Sequence, residues 1–490
     1  MAKLAFVLPL LLVLSLVCLS SSSDSDPQRE LEECRRECQQ RPQGQQHHCQ
    51  EECERRYREQ RRGRGERDPI EKQSGKGQDN PERESEQEGE TEQERKNPYH
   101  FRDERYRERI RTEHGYVKVL DKFTEQSDLL RGIENYRVSL LEADPHAFVM
   151  PVHFDAEGIL YVNRGRGTIT LLQQENKKTY NLEQGDIIRV PAGTTFYLTN
   201  RDNNQKLQIV ELLQAVSTPG RYEAFYGPSG KNPESFFRTF SDSIVKAAFN
   251  SQGDTLRRLF EKQTKGAIFK AREEQIREIS RHASSRGSGT PFKGESSGPV
   301  NLLRHGPAYS NQYGKLYEVD ENDYPHLREL DISVGFANIT SGAMTAPYYN
   351  SKATKVAVVT EGNGYFEMVC PHLASGGRRQ KGQGTEERYQ KIRGNLSPGH
   401  VVVVPAGHPT VIVASRGRNL EVACFNINAR NNERYHLAGK NNIYKNLEEQ
   451  ELELSFNAPS KEVKKVLNAQ DDQVFTRGPE GGEEGGRGSE

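Results

Sequence analysis

The chain has 490 residues, of which 33% are hydrophobic and 28% are charged, and its 69 basic and 70 acidic side chains nearly cancel. Sulfur is scarce, with 7 cysteines and 4 methionines, and tryptophan is absent. The length predicts two or three domains of roughly 150 residues each. The low apolar content means that whole segments must lie outside any packed core.

Residues 1–23 have the pattern of a secretory signal peptide. Lys3 supplies the positive charge, "LAFVLPLLLVLSLVCL" the apolar core and a serine run the small residues near a cleavage site. The apolar run is too short for a comfortable membrane span. We therefore expect passage through an oxidising compartment and no membrane association after the signal is removed.

Residues 24–62 contain "CRREC" and "CQEEC", separated by "QQRPQGQQHH". The spacing of each pair places both cysteines on one face of a helix, and the Pro-Gly segment favours a turn. Antiparallel packing of the two helices would give a hairpin with disulfides Cys34–Cys53 and Cys38–Cys49. Because secreted pieces of this size are commonly stapled by disulfides, that pairing is favoured over a four-cysteine zinc site with the neighbouring histidines.

Three segments are predicted to be disordered or flexible. Residues 63–96 consist almost wholly of Glu, Arg, Lys, Gln, Gly and Ser, and cannot bury enough apolar area to offset the entropy of ordering. Their mixed charges argue against a nucleic-acid-binding arm. Residues 281–298 are predicted to be a flexible, protease-sensitive linker, and the Gly/Glu-rich residues 477–490 a disordered tail.

Between these segments lies an internal duplication, spanning residues 97–280 and 299–476. "ILYVNRGRGTITLL" and "GDIIRVPAGTTFYLTN" in the first copy match "VAVVTEGNGYFEM" and "GHVVVVPAGHPTVIVAS" in the second. Pro191 and Pro405 are farther apart than Gly165 and Gly362, which places an inserted polar loop, "ASGGRRQKGQGTEER", in the second copy. "GKN" and "FN" also recur, so each copy carries the same appendage.

The repeated segments predict a mainly β protein. Alternating or continuous runs of β-branched and aromatic residues, punctuated by Gly and Pro, are typical of an antiparallel barrel or jelly roll. "SDSIVKAAFN", "DTLRRLFEKQ" and "KAREEQIREISRHA" instead have helical periodicity. We therefore expect two barrels, each with a helical arm, behind the disulfide-linked helical hairpin.

Several motifs of the chain resemble those of a known protein family. The pattern G-x5-P-x-G followed by a strand occurs twice and is similar to the second cupin motif. Together with "NPYHF", "FANITSG", the helical arms and the Cys-rich leader, it resembles the vicilin-type 7S seed storage globulins. The resemblance implies two cupin barrels of the double-stranded β-helix type and a homotrimer joined through the helical arms. It also implies deposition in seed protein-storage vacuoles, degradation by processing and germination proteases, and recognition by IgE as an allergen.

The metal ligands of cupin enzymes are missing from the expected positions. In the second copy Tyr348 and Asn350 stand where His-x-His would be, Lys355 replaces the Glu and Thr410 the last His. In the first copy Phe196 takes that last position. We therefore predict no catalytic residue, no organic cofactor and no enzyme activity at the usual cupin site.

The first copy retains two weaker features of the cupin pattern. Asn200 still fits the pattern, and His153 aligns with one of the first pair of histidines. A single imidazole is a weak ligand set, so His153 is interpreted as a hydrogen-bonded or surface histidine.

A second possibility for metal binding comes from "VCPHL" and "GHP". Period-2 geometry puts Cys370 and His372 on one face of a strand, and Pro371 places them at its end or edge. His408 would lie near the barrel mouth, and one thiolate with two imidazoles suits copper or zinc. The alternatives are that Cys370 is simply buried, or that it pairs with Cys424.

A subset of vicilins is similar in these residues and holds copper through one Cys, two His and one Tyr. The resemblance implies one copper per chain, with Cys370, His372 and His408 as ligands. Tyr99 is the implied fourth ligand, and Tyr116 is the alternative.

Two sequons, Asn338-Ile-Thr and Asn395-Leu-Ser, fit the N-glycosylation pattern. Asn395 is the favoured acceptor because it is expected in a polar loop, whereas Asn338 lies in an apolar strand run. A further alternative function concerns the leader, because Arg-rich, disulfide-stapled hairpins resemble antimicrobial or protease-inhibiting peptides.

Overall fold

The computed structural model describes residues 34, 53, 97–172, 174, 177–281, 283, 298–373 and 388–479. Its contacts divide the chain into residues 1–89 and residues 90–490. In the first unit, Cys34 and Cys53 have helical backbones and form a disulfide with their Cα atoms 5.9 Å apart, which is the predicted pairing. The signal segment, the Cys38–Cys49 pair and the 63–96 linker lie outside the described residues, as do most of residues 281–298.

Runs of β-branched and aromatic residues form thirteen described strands in the first half of the larger unit. They are β1 (His100–Phe101), β2 (Tyr106–Thr112), β3 (Gly115–Leu120), β4 (Tyr136–Ala143), β5 (Ala147–Phe154), β6 (Ala156–Arg164), β7 (Arg166–Leu172), β8 (Lys177–Glu183), β9 (Asp186–Val190), β10 (Phe196–Asn200), β11 (Leu207–Ala215), β12 (Ala224–Phe225) and β13 (Ile268–Lys270).

The second half repeats this pattern in strands that begin at Val300. They are β14 (Val300–Asn301), β15 (Tyr309–Asn311), β16 (Gly314–Val319), β17 (Ile332–Ile339), β18 (Ala343–Thr345), β19 (Tyr348–Asn350), β20 (Thr354–Glu361), β21 (Gly364–Cys370), β22 (Gln390–Leu396), β23 (Val401–Val404), β24 (Thr410–Ala414), β25 (Leu420–Ile427), β26 (Arg434–His436) and β27 (Phe475–Arg477).

The described strands form four antiparallel sheets, two for each barrel. The first barrel has one sheet in the order β14-β9-β6-β11-β4-β3-β2 and a second in the order β12-β5-β10-β7-β8, with β13 also paired to β5. The second barrel has β1-β23-β20-β25-β17-β16-β15 and β22-β21-β24-β18-β27, with β19 paired to β24 and β26 paired to β19. The predicted mainly β architecture of two barrels is confirmed.

The described α-helices include both predicted arms. They are α1 (Phe123–Gln126), α2 (Asp242–Phe249), α3 (Gly253–Glu261), α4 (Glu273–Ser280), α5 (Glu449–Phe456) and α6 (Ser460–Leu467). The repeated "FN" has a local cause: Asn250 and Asn457 end α2 and α5 in the left-handed conformation, with φ of 45° and 48°. Asparagine tolerates that conformation better than most residues, so it suits a helix C-terminus.

Each half donates its first strand to the barrel of the other half. In β1, His100 and Phe101 pair with Val402 and Val401 of the second barrel. In β14, Val300 and Asn301 pair with Ile187 and Asp186 of the first barrel. The predicted domains 97–280 and 299–476 therefore need correction, because each one includes a strand, β1 or β14, that completes a sheet of the other barrel.

One apolar core joins the two halves. It contains buried side chains from the first half, including Phe101, Phe123 and Tyr161, together with Phe366 and Phe425 from the second. Since these residues exclude water jointly, burial stabilises the two barrels as one body.

The predicted start of the tail at 477 is also wrong. Arg477 belongs to β27 and pairs with Ala343, and the Gly478 N–H donates to the Gly342 carbonyl at 3.0 Å. The ordered chain therefore continues past the predicted boundary. No helix within the described ranges is both long and apolar enough to cross a membrane.

Candidate metal centre and barrel interiors

Cys370 ends a strand whose alternate side chains point into the second barrel. Along β21 the buried positions include Phe366, Met368 and Cys370, as expected for a strand with one face on the core. The strand stops before Pro371, which cannot donate a ladder hydrogen bond. His372 follows immediately and is exposed. Cys370 is fully buried and its thiol is free, so it does not form the alternative disulfide with Cys424.

Tyr99 reaches Cys370 because β1 is part of the second barrel. The Val403 N–H donates to the Tyr99 carbonyl at 2.8 Å, and the phenol ring is 1% exposed. The Cys370 Sγ lies 3.8 Å from the Tyr99 hydroxyl. Burial and the neighbouring Cys370 raise the pKa of the Tyr99 phenol.

The alternative tyrosine lies in another environment. The Tyr116 hydroxyl of β3 donates to Glu142 at 3.4 Å, and Arg111 and Lys118 lie over its ring. The geometry therefore brings Tyr99, and not Tyr116, to Cys370.

His408 presents one free nitrogen to this site. Its Nδ1 lies 3.0 Å from the Ala406 carbonyl oxygen, which fixes the proton on Nδ1. Its Nε2 is buried and has no hydrogen-bond partner. Burial lowers the pKa of His408 and the nearby His372 lowers it further, against an opposing contribution from the Ala406 hydrogen bond, so the neutral imidazole is favoured. A neutral imidazole whose other nitrogen is anchored has the form that metal ligands adopt.

The four side chains supply a donor set suited to a soft or borderline metal ion. The His408 ring lies 5.3 Å from the His372 ring and 6.0 Å from the Tyr99 ring, measured between centroids. Within the described part of the chain, no three His, Cys, Asp or Glu side chains stand close enough as they are to hold a metal. The orphaned Nε2 and the buried thiol fit copper or zinc by chemistry, with the exposed His372 completing the set after a change of side-chain position.

The usual cupin ligand positions of the second barrel form a different, positively charged interior. The Lys355 ammonium is 6% exposed and donates to the Tyr348 hydroxyl at 2.6 Å. Arg434 lies over the same ring and pairs with Glu318 at 2.5 Å. Two cations therefore face one carboxylate around a cavity of about 30 Å³. Asn350 lies buried nearby with neither side-chain polar atom bonded.

The first barrel encloses a larger cavity of about 600 Å³. Gly158 pairs with Val190 as Lys355 pairs with Val404, so the first barrel has a glycine where the second has the lysine. By the same register, Glu211 occupies the position of Cys424. Glu211 is 3% exposed, and burial raises its pKa to about 7.

The first-barrel residues considered as cupin ligands have other roles. The Asn200 amide donates to the Ala143 and Gln205 carbonyls, at 3.0 and 2.8 Å, so it ties two segments of backbone together. His153 stacks on Phe225 with centroids 5.0 Å apart. Sequence reasoning missed Glu211; its signal was a charged residue within an otherwise apolar strand, "LQIVELLQA".

The two sequons differ in accessibility. Asn338 lies in β17, where its amide donates to Glu421 at 2.8 Å and its oxygen accepts from Asn419 at 2.9 Å. Asn395 is exposed, but it lies in β22 opposite Tyr365 and not in a loop as expected.

The chain resembles known proteins along most of its length. A family model described as cupin matches residues 103–257 and again residues 300–464. "Vicilin Jug r 6.0101" of Juglans regia is 51% identical over 401 residues, which is 80% of each protein. The chain belongs to the vicilin family.

Solved vicilin structures have the same fold. The crystal structure of vicilin from Corylus avellana matches with a TM-score of 0.72 and 48% identity, covering 78% of this chain and all of that one. A vicilin from Solanum melongena, described as having different anionic ligands in structurally similar pockets, matches with a TM-score of 0.73 and 40% identity. That match covers 78% of this chain and 98% of the other.

Proposed function

We propose that this vicilin is a seed storage protein, a nutrient reservoir without substrate turnover. The observation that carries the proposal is the 51% identity to a vicilin over 401 residues, which is 80% of this chain. The scarce sulfur and abundant nitrogen-bearing side chains suit bulk amino-acid storage. The replacement of cupin ligands by Tyr348, Asn350, Lys355 and Thr410 supports the absence of metal-dependent catalysis at the usual position.

The test follows the protein through the life of the seed. Immunoblots and immunogold labelling should show accumulation during seed maturation in protein-storage vacuoles, followed by proteolysis on germination. IgE binding in sera of sensitised donors would test allergenicity separately. A protein that persisted unchanged through germination, or that accumulated equally in leaves, would contradict a storage role.

The helical arms support assembly as a homotrimer. Large apolar side chains remain exposed on them in the isolated chain: Ile244, Phe249, Leu259, Leu454, Phe456 and Val466, at 45–86% exposure. Such faces mark contact surfaces, because burying them removes apolar area from water.

Charged substitutions in the arms should dissociate the trimer. Light scattering should give a trimer mass for the wild type and a smaller mass for Ile244→Asp with Leu454→Asp. Val216→Asp is the control, since Val216 is 62% exposed and lies outside the arms. An unchanged mass for the double variant would exclude assembly through these faces.

Copper binding is a second proposed property, at about one ion per chain. Its support is the buried, unpartnered His408 Nε2, together with a His408 ring 6.0 Å from the ring of Tyr99, whose hydroxyl contacts the Cys370 thiol. The ion would be held by Cys370, His408 and Tyr99, and His372 would be the fourth ligand. Bound copper would supply one-electron redox chemistry, while the protein side chains exclude water from the thiolate side.

The chain offers a matched control for the copper assignment. Cys370 and Cys424 are both free and buried, but Cys424 lies in the Lys355 cavity. Elemental analysis of protein purified from native tissue without chelators should give about one copper per chain. Copper-loaded Cys424→Ala should keep that stoichiometry and its thiolate-to-copper absorption, whereas Cys370→Ala should lose both. Full stoichiometry in Cys370→Ala would refute the assignment.

The second barrel is also proposed to hold a small anion. Lys355 and Arg434 exceed the single carboxylate of Glu318, and the cavity of about 30 Å³ has room for a species the size of a water molecule or halide. Chloride titration should raise the melting temperature of the wild type and not that of Lys355→Met. Equal responses would contradict an anion site there.

The leader remains a separate proposal, as a released antimicrobial or protease-inhibiting hairpin. It is supported by the Cys34–Cys53 disulfide and the Arg-rich composition. Mass spectrometry of seed extracts should find a peptide ending between residues 60 and 97. Retention of the leader on the mature subunit would exclude release.

A further inference from the structure

The cavity of the first barrel has the size of a small-molecule site. Its volume of about 600 Å³ lies within the range of roughly 300–1,000 Å³ that such sites occupy. The equivalent space in the second barrel, about 30 Å³, is filled by long side chains such as Lys355. The two barrels of one duplicated chain have therefore diverged in their interiors.

Aromatic rings form one wall of the cavity. Phe154 contacts Phe196 and Tyr222 in edge-to-face geometry, with centroids 5.4 and 5.5 Å apart, and Tyr226 lies alongside. The rest of the deep wall is aliphatic and includes Leu141. Ring faces carry partial negative charge and attract cations, most strongly where water is excluded.

Glu211 is the one carboxylate set deep among these groups. Its side chain is 97% buried and lines the cavity, and no lysine or arginine of that lining in the described ranges forms an ion pair with it. Burial raises the pKa of Glu211, and the Ser139 hydroxyl across the strand pair partly offsets that rise. Its negative charge in turn helps to raise the pKa of the Tyr222 phenol, so the two groups lie close together.

An unpaired buried carboxylate is costly to the fold. Removing an ionised carboxylate from water without a partner has a price of several kcal/mol in practice. Glu211 is such a carboxylate and it lines a cavity. This arrangement is expected where a bound ligand supplies the missing cationic partner.

The rim of the cavity is close to electrically balanced. It carries Arg109, Arg111 and Lys265 together with Glu113 and Glu223, and Arg111 is already paired with Glu108 outside the cavity. All five rim side chains are exposed and are screened by solvent.

The buried Arg137 of β4 interacts electrostatically with Tyr222, but it does not line the cavity, and its guanidinium donates to the Leu120 and Gly220 carbonyls. Among the described residues that line the cavity, Glu211 is therefore the buried charged group.

We propose that the first barrel binds a small organic amine with an apolar body. The ammonium group would pair with the Glu211 carboxylate, and the apolar body would pack against Phe154, Phe196 and Tyr222. The second barrel, with Lys355 and Arg434 facing the single carboxylate of Glu318, would select anions, so the duplication has produced two interiors of opposite preference. The inference does not depend on the storage role.

Three probes of similar shape and different charge test the proposal on the full-length trimer. They are 2-phenylethylamine, 2-phenylethanol and 3-phenylpropionate, titrated by calorimetry at about pH 8, where Glu211 is ionised. The amine should bind at least about tenfold more tightly than the other two, as expected for a charge-assisted hydrogen bond. Its affinity should fall at about pH 5.5, because protonation of Glu211 removes the carboxylate charge.

Two variants assign the preference to a residue. Glu211→Gln keeps the shape of the side chain and should abolish the preference for the amine, whereas Glu223→Gln at the exposed rim should leave it unchanged. If Glu211→Gln does not fold, the affinities of the wild type for the three probes and their pH dependence still test the proposal. Absence of amine binding, equal binding of the alcohol, tighter binding of the acid, or a preference retained by Glu211→Gln would each overturn the proposal.

Discussion

Replacing Phe101 with alanine tests whether the exchanged strand β1 stabilises the second barrel. Phe101 is fully buried, its backbone pairs with Val401, and its ring meets Phe123 edge-on with centroids 5.4 Å apart. Truncating a buried phenylalanine costs about 3–5 kcal/mol, because apolar contacts are lost and a cavity remains. That loss is a large share of the roughly 5–15 kcal/mol that stabilises a typical protein.

The measurement is urea-induced unfolding followed by circular dichroism at a fixed protein concentration, since assembly makes apparent stability concentration-dependent. Tyr389→Ala is the control, because Tyr389 is an aromatic residue of the second barrel that is 61% exposed. Its free energy of unfolding should change by less than about 0.5 kcal/mol.

A double-mutant cycle separates the contact from general damage. The coupling between Phe101→Ala and Phe123→Ala should be about 0.5–1.5 kcal/mol, the usual value for an aromatic pair. A cost below about 1 kcal/mol for Phe101→Ala, with no coupling to Phe123, would show that β1 is not part of this core.

Three further predictions follow from the buried and exposed polar groups. Because the folded-state pKa of Glu211 is about 7 against a usual 4.5, its ionisation reduces stability as the pH rises between these values. Glu211→Gln should therefore match the wild type near pH 4 and exceed it by up to about 3 kcal/mol near pH 8 in urea unfolding; an equal difference at both would contradict the shift. Glu318→Gln should lose about 1–3 kcal/mol, because the Arg434 guanidinium loses its carboxylate partner, and an unchanged urea midpoint would argue against that pair. In plant-expressed protein, Asn395→Gln should remove one glycan mass and Asn338→Gln none, since the Asn338 amide is hydrogen-bonded in a sheet; a mass loss only in Asn338→Gln would reverse the assignment.

Periodicity and repeats predicted the barrels and the arms because those signals are local. Alternating apolar residues specify a strand face, and the repeated Phe-Asn pairs coincide with the ends of α2 and α5. Pro371 likewise predicted the end of β21. These features depend on neighbours within a few residues, which a single sequence contains.

Contacts between segments far apart in the chain could not be predicted from the sequence. Nothing local to "NPYHF" indicates that its strand pairs with Val401 and Val402 of the other half, and the choice between Tyr99 and Tyr116 depended on that pairing. Asn395 was expected in a loop because its neighbours are polar, whereas pairing with Tyr365 makes it a strand residue. Tertiary pairing overrode the local preference at that position.

The reciprocal exchange of β1 and β14 affects how the chain can be built and dismantled. During synthesis the first barrel lacks one edge strand until residue 301 has emerged, and β1 has no partner until residue 402 follows, so neither half can finish folding alone. In the mature protein, a cut anywhere between residues 284 and 297 would leave two fragments that stay associated, because β1 of the first remains paired in the second barrel and β14 of the second remains paired in the first. A protease that releases the stored amino acids must therefore cut within the barrels, or act after the core shared by the two halves has unfolded.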